Sequence, residues 1–296
     1  MASYSFMMIA GVLLLAGDVP LAASPFLRLP VSAKSVSLGG AFSAGDDLGA
    51  VEQNPSSLLS LRGLSAEFTQ SRYFEDTSMM AFSGGYSSRK FGFAFNYKSY
   101  SVEDISRNSV GDETGKISHS ESVVGGAVAL KFMGRFSGGI GFKSLGRKIS
   151  DNSPASGINT SLSGTTLDFG LTYYKGEDAY SLSVANFGGN TRFDYAGASD
   201  EKPPLTYYLG ARHTIGNFVG LWQVSKSDDN RRLTVATGVD YDITRHFALR
   251  LGMKYTQYFD FTFGLGFKFS RFYLNYALSP HMDFGATHNV TLGVGF

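Results

Sequence analysis

The residues of this 296-residue chain best suited to acid–base or metal chemistry are its five histidines, His119, His213, His246, His281 and His288. They are dispersed, without the His-Glu-x-x-His or similar spacing that turns two imidazoles toward one ion, so no metal site is expected. Cysteine is absent, which excludes thiolate nucleophiles, thiolate metal sites and disulfides together. A hydrolase would need a serine, a histidine and an orienting partner brought together. No His-Gln-Ser-type segment accompanies Tyr255-Thr-Gln257. Gly138-Gly-Ile-Gly141 and Gly264-Leu-Gly266 lack the following helix that a phosphate loop requires. Neither an enzyme nor a cofactor is therefore expected. Four cations remain as candidate ligand contacts: Arg212, Arg250, Lys254 and Lys268. They would meet an anionic head group, pair with Asp168 or Asp240, or simply be solvated.

The elements that position these cations follow from an alternation beginning near residue 64. Phe91, Phe93, Phe95 and Tyr97 occupy one face of a strand, opposite Gly92, Ala94, Asn96 and Lys98. Phe261, Phe263, Leu265, Phe267 and Phe269 stand likewise opposite Thr262, Gly264, Gly266 and Lys268, and Val290, Leu292, Val294 and Phe296 close the chain in the same way. One face is large and apolar, the other small, polar or charged. A transmembrane barrel turns the first to lipid and the second to a wet lumen. The composition agrees: 36 glycines, 25 phenylalanines and 16 tyrosines, with 26 basic against 25 acidic side chains. That charge balance gives no electrostatic argument for a nucleic-acid partner.

About fourteen strands are expected, near 64–72, 77–86, 90–100, 119–132, 135–147, 163–175, 179–186, 204–214, 217–226, 231–241, 246–256, 259–269, 271–278 and 287–296. Long connections at 101–118, 148–162, 187–203 and 279–286 alternate with very short ones, the parity of an outer-membrane barrel with tight periplasmic turns. Residues 64–296 thus read as a transmembrane antiparallel β-barrel, all-β in class. Residues 7–17 form an apolar run too short to span a bilayer, followed by small residues to Ala23, so 1–23 read as a signal peptide.

Residues 24–63 carry capping signals instead of alternation. Asp46 and Asp47 would cap a short helix, and Asn54-Pro55 pairs an N-cap with proline at the first helical position. Leu38, Phe42, Leu48, Val51, Leu58 and Leu59 need burial, which favours a plug of short helices inside the barrel over a flexible periplasmic extension. The run from Ser35 through Gly39, Gly40, Asp46 and Asp47 to Asn54-Pro55 resembles the amino-terminal signature of FadL-like outer-membrane proteins, particularly the PorV/PorQ-type branch, with Ser56 where the signature has alanine. Val184-Ala-Asn-Phe-Gly188, Ala248-Leu-Arg-Leu-Gly252, Asn275-Tyr-Ala-Leu-Ser-Pro280 and Gly285-Ala-Thr-His288 add to the resemblance.

The resemblance implies a bacterial outer-membrane barrel of fourteen strands that passes a hydrophobic or amphipathic, fatty-acid-like molecule, with the plug controlling access and a kink in the wall releasing it sideways. Gly84-Gly85 and Gly125-Gly126 are candidates for that kink, or else make room for the plug. The alternative is a PorV/PorQ-like component of type IX secretion, docking exported proteins through the long outer loops. Phe296, an aromatic end to an alternating strand, is by resemblance the signal read by the barrel-assembly machinery. Expected partners are accordingly the bilayer, a hydrophobic small molecule, the assembly machinery and secretion-system components.

Overall fold

The computed structural model describes residues 25–73, 77–107, 113–152, 159–193, 202–230, 232–281 and 285–296. The expected signal peptide lies outside the described residues. The strands are β1 (Gly63–Arg72), β2 (Ser78–Ser87), β3 (Phe91–Arg107), β4 (Glu113–Phe132), β5 (Phe136–Asp151), β6 (Asn159–Lys175), β7 (Asp178–Phe193), β8 (Thr206–Ile215), β9 (Phe218–Ser227), β10 (Thr234–Thr244), β11 (Phe247–Tyr255), β12 (Phe259–Phe269), β13 (Phe272–His281) and β14 (Gly285–Gly295). Each pairs antiparallel with its neighbours in sequence, and β1 pairs with β14 to close the barrel. Closure removes the free edges that a sheet of this size would otherwise expose.

The two faces sort as their alternation demands. Phe91, Phe93, Phe95 and Tyr97 are exposed on the outside of β3, while Lys98 on the opposite face is wholly buried. Phe261, Phe263, Leu265, Phe267 and Phe269 form the corresponding outer row of β12. At one end the turns are tight, with Gly134, Gly176 and Gly216 at positive φ of 71°, 66° and 60°, a region glycine enters without steric cost. This is the periplasmic end of an outer-membrane barrel, and the longer connections face the cell exterior.

Strands β3 to β7 run further than their apolar rows. The β3–β4 ladder continues to Arg107 opposite Glu113, and the β5–β6 ladder to Ser150 opposite Asn159. Within segments 101–118, 148–162 and 187–203, expected as loops, residues 101–107, 113–118, 148–151, 159–162 and 187–193 are therefore strand. The physical reason is that hydrophobic alternation stops where the wall leaves the membrane, whereas backbone pairing continues through Ser, Thr and charged residues.

Residues 25–61 occupy the lumen as four short helical turns, Pro25–Arg28, Ala33–Ser37, Leu48–Val51 and Pro55–Ser60. Ser32, Asp47 and Asn54 cap the last three through their side chains. Leu38 and Phe42 pack on Leu221 and Ala236 of the wall, and Leu48, Leu58 and Leu61 pack on Ala129. Each such burial stabilises by about 1.5–3 kcal/mol, so the core of this protein lies between plug and inner wall.

Candidate functional site: the plugged lumen

The plug chain turns sharply at Gly39 and Gly40, whose φ angles are +69° and +79°. A Cβ at Gly39 would stand 2.7 Å from the Met253 carbonyl oxygen, so only glycine lets the turn lie against β11. The Gln223 amide then clamps the turn: its Nε2 donates to the Gly40 carbonyl (3.0 Å), and its Oε1 accepts from the Phe42 and Ser43 amides (3.1 and 2.8 Å). Asn54 makes the next anchor. Its Nδ2 donates to the Ser43 carbonyl (2.8 Å) and to Thr172 Oγ1 (3.0 Å), while its Oδ1 accepts from the amide and the hydroxyl of Ser56. Pro55 sits at the start of the helical turn that follows.

Two ionic chains complete the attachment. In one, Lys34 of the plug bridges Asp46 (2.8 Å) and Asp240 on β10 (3.5 Å). Asp240 in turn holds Arg250 Nε (3.0 Å), Arg250 Nη1 donates to Asn275 (2.8 Å), and Arg212 approaches Asp46 at 3.9 Å. Burial alone would lower the Lys34 ammonium, but Asp46 and Asp240 outweigh it and hold it charged well above its usual range. In the other, Glu52 of the plug pairs with Lys98, and Lys143 donates to the Glu52 carbonyl (3.3 Å) while pairing with Asp168 (2.9 Å). All four of these charged side chains are buried, so each needs its counter-charge to offset lost hydration.

The four candidate cations thus divide. Arg212 and Arg250 meet in one network through Lys34 and are occupied by carboxylates. Lys254 stands apart beside Asp260 (3.3 Å), in a cavity of about 450 Å³ on the exterior side that Arg28, Tyr208, Asn230 and Arg232 also line. Lys268 is exposed at the short-turn end. A second cavity, of about 650 Å³, lies at that periplasmic end and is floored by Asp46 and Leu59–Leu61. Glu52, Lys34, Lys143 and Gln223 take part without having been singled out. Their signal was a charged or amide side chain facing inward, or standing in the plug, which marks a residue that must find a partner there.

The ladder runs without a shift through Gly84, Gly85, Gly125 and Gly126. Gly85 and Gly125 face inward, where a side chain would press on Leu48 and Asn96 respectively. Among the described residues the ladder shifts register at Ser106/Arg107 of β3, at Asp242/Thr244 of β10 and twice along β7. There Phe169 pairs with Val184, Leu167 with Phe187 and Thr165 with Asn190, so β7 carries two extra residues. Asn186 takes a φ of +62°; its amide donates to Asp168 (2.8 Å) and its side chain to the Pro204 carbonyl (3.0 Å). The bulged wall is thereby tied, through Asp168 and Lys143, to the plug.

Among solved structures, the chain is similar to the toluene transporter TbuX of Ralstonia pickettii, with 13% identity and a TM-score of 0.64 over 90% of this chain and 98% of that one. It is similar also to the monoaromatic hydrocarbon channel CymD, at 12% identity and TM-score 0.69 over 90% and 97%. The toluene transporter TodX of P. putida gives 10% identity and TM-score 0.64 over 90% and 98%. At these identities the similarity is one of fold, a closed barrel of antiparallel strands. No curated protein matches in sequence. Residues 91–296 match the family model described as type IX secretion system membrane protein PorP/SprF. The branch is therefore not the expected PorV/PorQ one, whose main motif, residues 35–55, precedes the matched region and serves plug docking. With the greater part of its barrel so matched, the chain belongs to the PorP/SprF family of outer-membrane proteins.

Proposed function

We propose that this protein is a sealed outer-membrane barrel that serves type IX secretion as a fixed component and engages other components of that apparatus. The observation that carries this reading is the attachment of the plug: buried ion pairs and hydrogen bonds tie it to strands all around the barrel, including β3, β5, β6, β9, β10 and β12. A plug that must move aside for cargo would need to break these together, and each buried pair costs several kcal/mol to separate. Membership of the PorP/SprF family supports the same reading. Deleting the gene should abolish surface appearance of proteins exported by type IX secretion. An unchanged set of exported proteins would overturn the proposal.

The second reading is passage of a hydrophobic small molecule, which the fold shared with TbuX, CymD and TodX favours. Uptake of a labelled fatty acid or of toluene into liposomes containing the purified protein separates the two. Uptake above that of empty vesicles supports transport; equal uptake supports the sealed barrel.

A further inference from the structure

The two ends of the barrel differ in charge. The short-turn segments 60–63, 87–91, 131–136, 174–178, 212–218, 242–247 and 267–272 hold ten Lys or Arg against three acidic residues, Glu177, Asp178 and Asp242. At the opposite end, the described residues of segments 72–78, 101–118, 148–162, 192–203, 226–233, 256–260 and 279–286 hold eight basic against seven acidic residues. Nine of the ten periplasmic cations are exposed, and among the described residues Arg212 alone of the ten is in an ion pair, the long one to Asp46. Four of them, Arg62, Arg89, Lys131 and Arg212, line the periplasmic cavity of about 650 Å³, together with Leu59, Tyr174 and Val219. Arg212 Nη1 is buried there without a hydrogen-bond partner.

We propose that this basic bowl at the periplasmic mouth docks an acidic polypeptide segment of a periplasmic protein. Its geometry selects among anions. Arg62 precedes β1 and Arg212 lies on β8, on opposite sides of the fourteen-strand ring. Strand spacing and tilt make that ring roughly 25–30 Å across, so one phosphate-sized anion cannot reach both. The occupant is therefore extended and multiply charged. Lipid head groups surround the outside of a barrel, whereas these four side chains line its interior mouth. Leu59, Val219 and the Tyr174 ring, which line the cavity beside the four cations and the acidic Asp46 and Glu177, suit a chain in which apolar side chains are interspersed with carboxylates. The inference stands on charge and shape and holds whichever reading of the function is correct.

The test uses the full barrel in phosphatidylcholine nanodiscs and a fluorescein-labelled peptide of alternating glutamate and leucine, with its lysine counterpart as control. Fluorescence anisotropy should show binding of the glutamate peptide alone, weakening as salt is raised. R62Q/R89Q/K131Q, at three exposed sites, should weaken it roughly tenfold or more. Failure of the glutamate peptide to bind, or undiminished binding by a triple variant with normal heat-modifiable mobility, overturns the proposal. So does displacement by inorganic phosphate at equal charge, which marks a small-anion site, or by phosphatidylglycerol placed in the nanodisc, which marks a lipid site. Should the triple variant fail to fold, the salt dependence and the two competitions with the unaltered protein decide.

Discussion

Asn54→Ala should loosen the plug while leaving the barrel closed. Asn54 is fully buried and its side chain makes four hydrogen bonds, of which one reaches the wall, at Thr172. Loss of the N-cap costs about 1 kcal/mol. Truncation also leaves the Ser43 carbonyl and the Ser56 amide without that partner in a buried site, at about 1–3 kcal/mol for such orphaned groups. The sum for docking of the plug is about 2–4 kcal/mol, which raises the population of the undocked plug roughly thirtyfold to several hundredfold. Hydrogen exchange read by mass spectrometry on peptides within 41–61 should accelerate by that factor, because exchange there proceeds through local opening. Peptides from β10 to β14 should exchange as before, since the barrel ladder does not use Asn54. Thr172→Val should cost less, about 1 kcal/mol, and the double variant should fall short of the sum because the two residues share a bond. Unchanged exchange in 41–61, or acceleration shared equally by plug and strands, would refute the reasoning.

Gly139→Ala should displace the plug, since a Cβ there would lie 2.5 Å from the Pro55 carbonyl carbon and 2.8 Å from Ser56 Cα, an overpacking of about 1–3 kcal/mol. Gly126→Ala, on the lipid side with its nearest neighbour at 3.6 Å, should leave plug exchange unchanged. Lys98→Met strands the buried Glu52 carboxylate and should destabilise the docked plug by about 3–5 kcal/mol, with E52Q/K98M recovering part of the loss in the same exchange measurement. Deleting Phe296, whose amide bonds the Leu64 carbonyl at 2.8 Å and whose ring lies under Arg271, should lower the amount of barrel assembled in the outer membrane. Unaltered abundance and heat-modifiable mobility would count against that role.

The barrel was legible in the sequence because its signal is local. A strand with lipid on one side and a wet or plug-filled lumen on the other must alternate every second residue, and each of the fourteen rows repeats that rule by itself. Asn54-Pro55 and Asp47 were legible for the same reason, a cap being satisfied within its own turn. What the sequence left undecided are pairings between residues far apart in the chain. Lys34 finding Asp240, Glu52 finding Lys98, and Gln223 clamping Gly40 follow from closure of the ring around the plug, which no local period encodes. The bulged stretch of β7 was unreadable in the same way, since an extra residue shows only against the strand it faces. Alternation determined which side of the wall each residue occupies; closure of the barrel decided which inward charges meet, because that depends on strand order and register around the whole circumference.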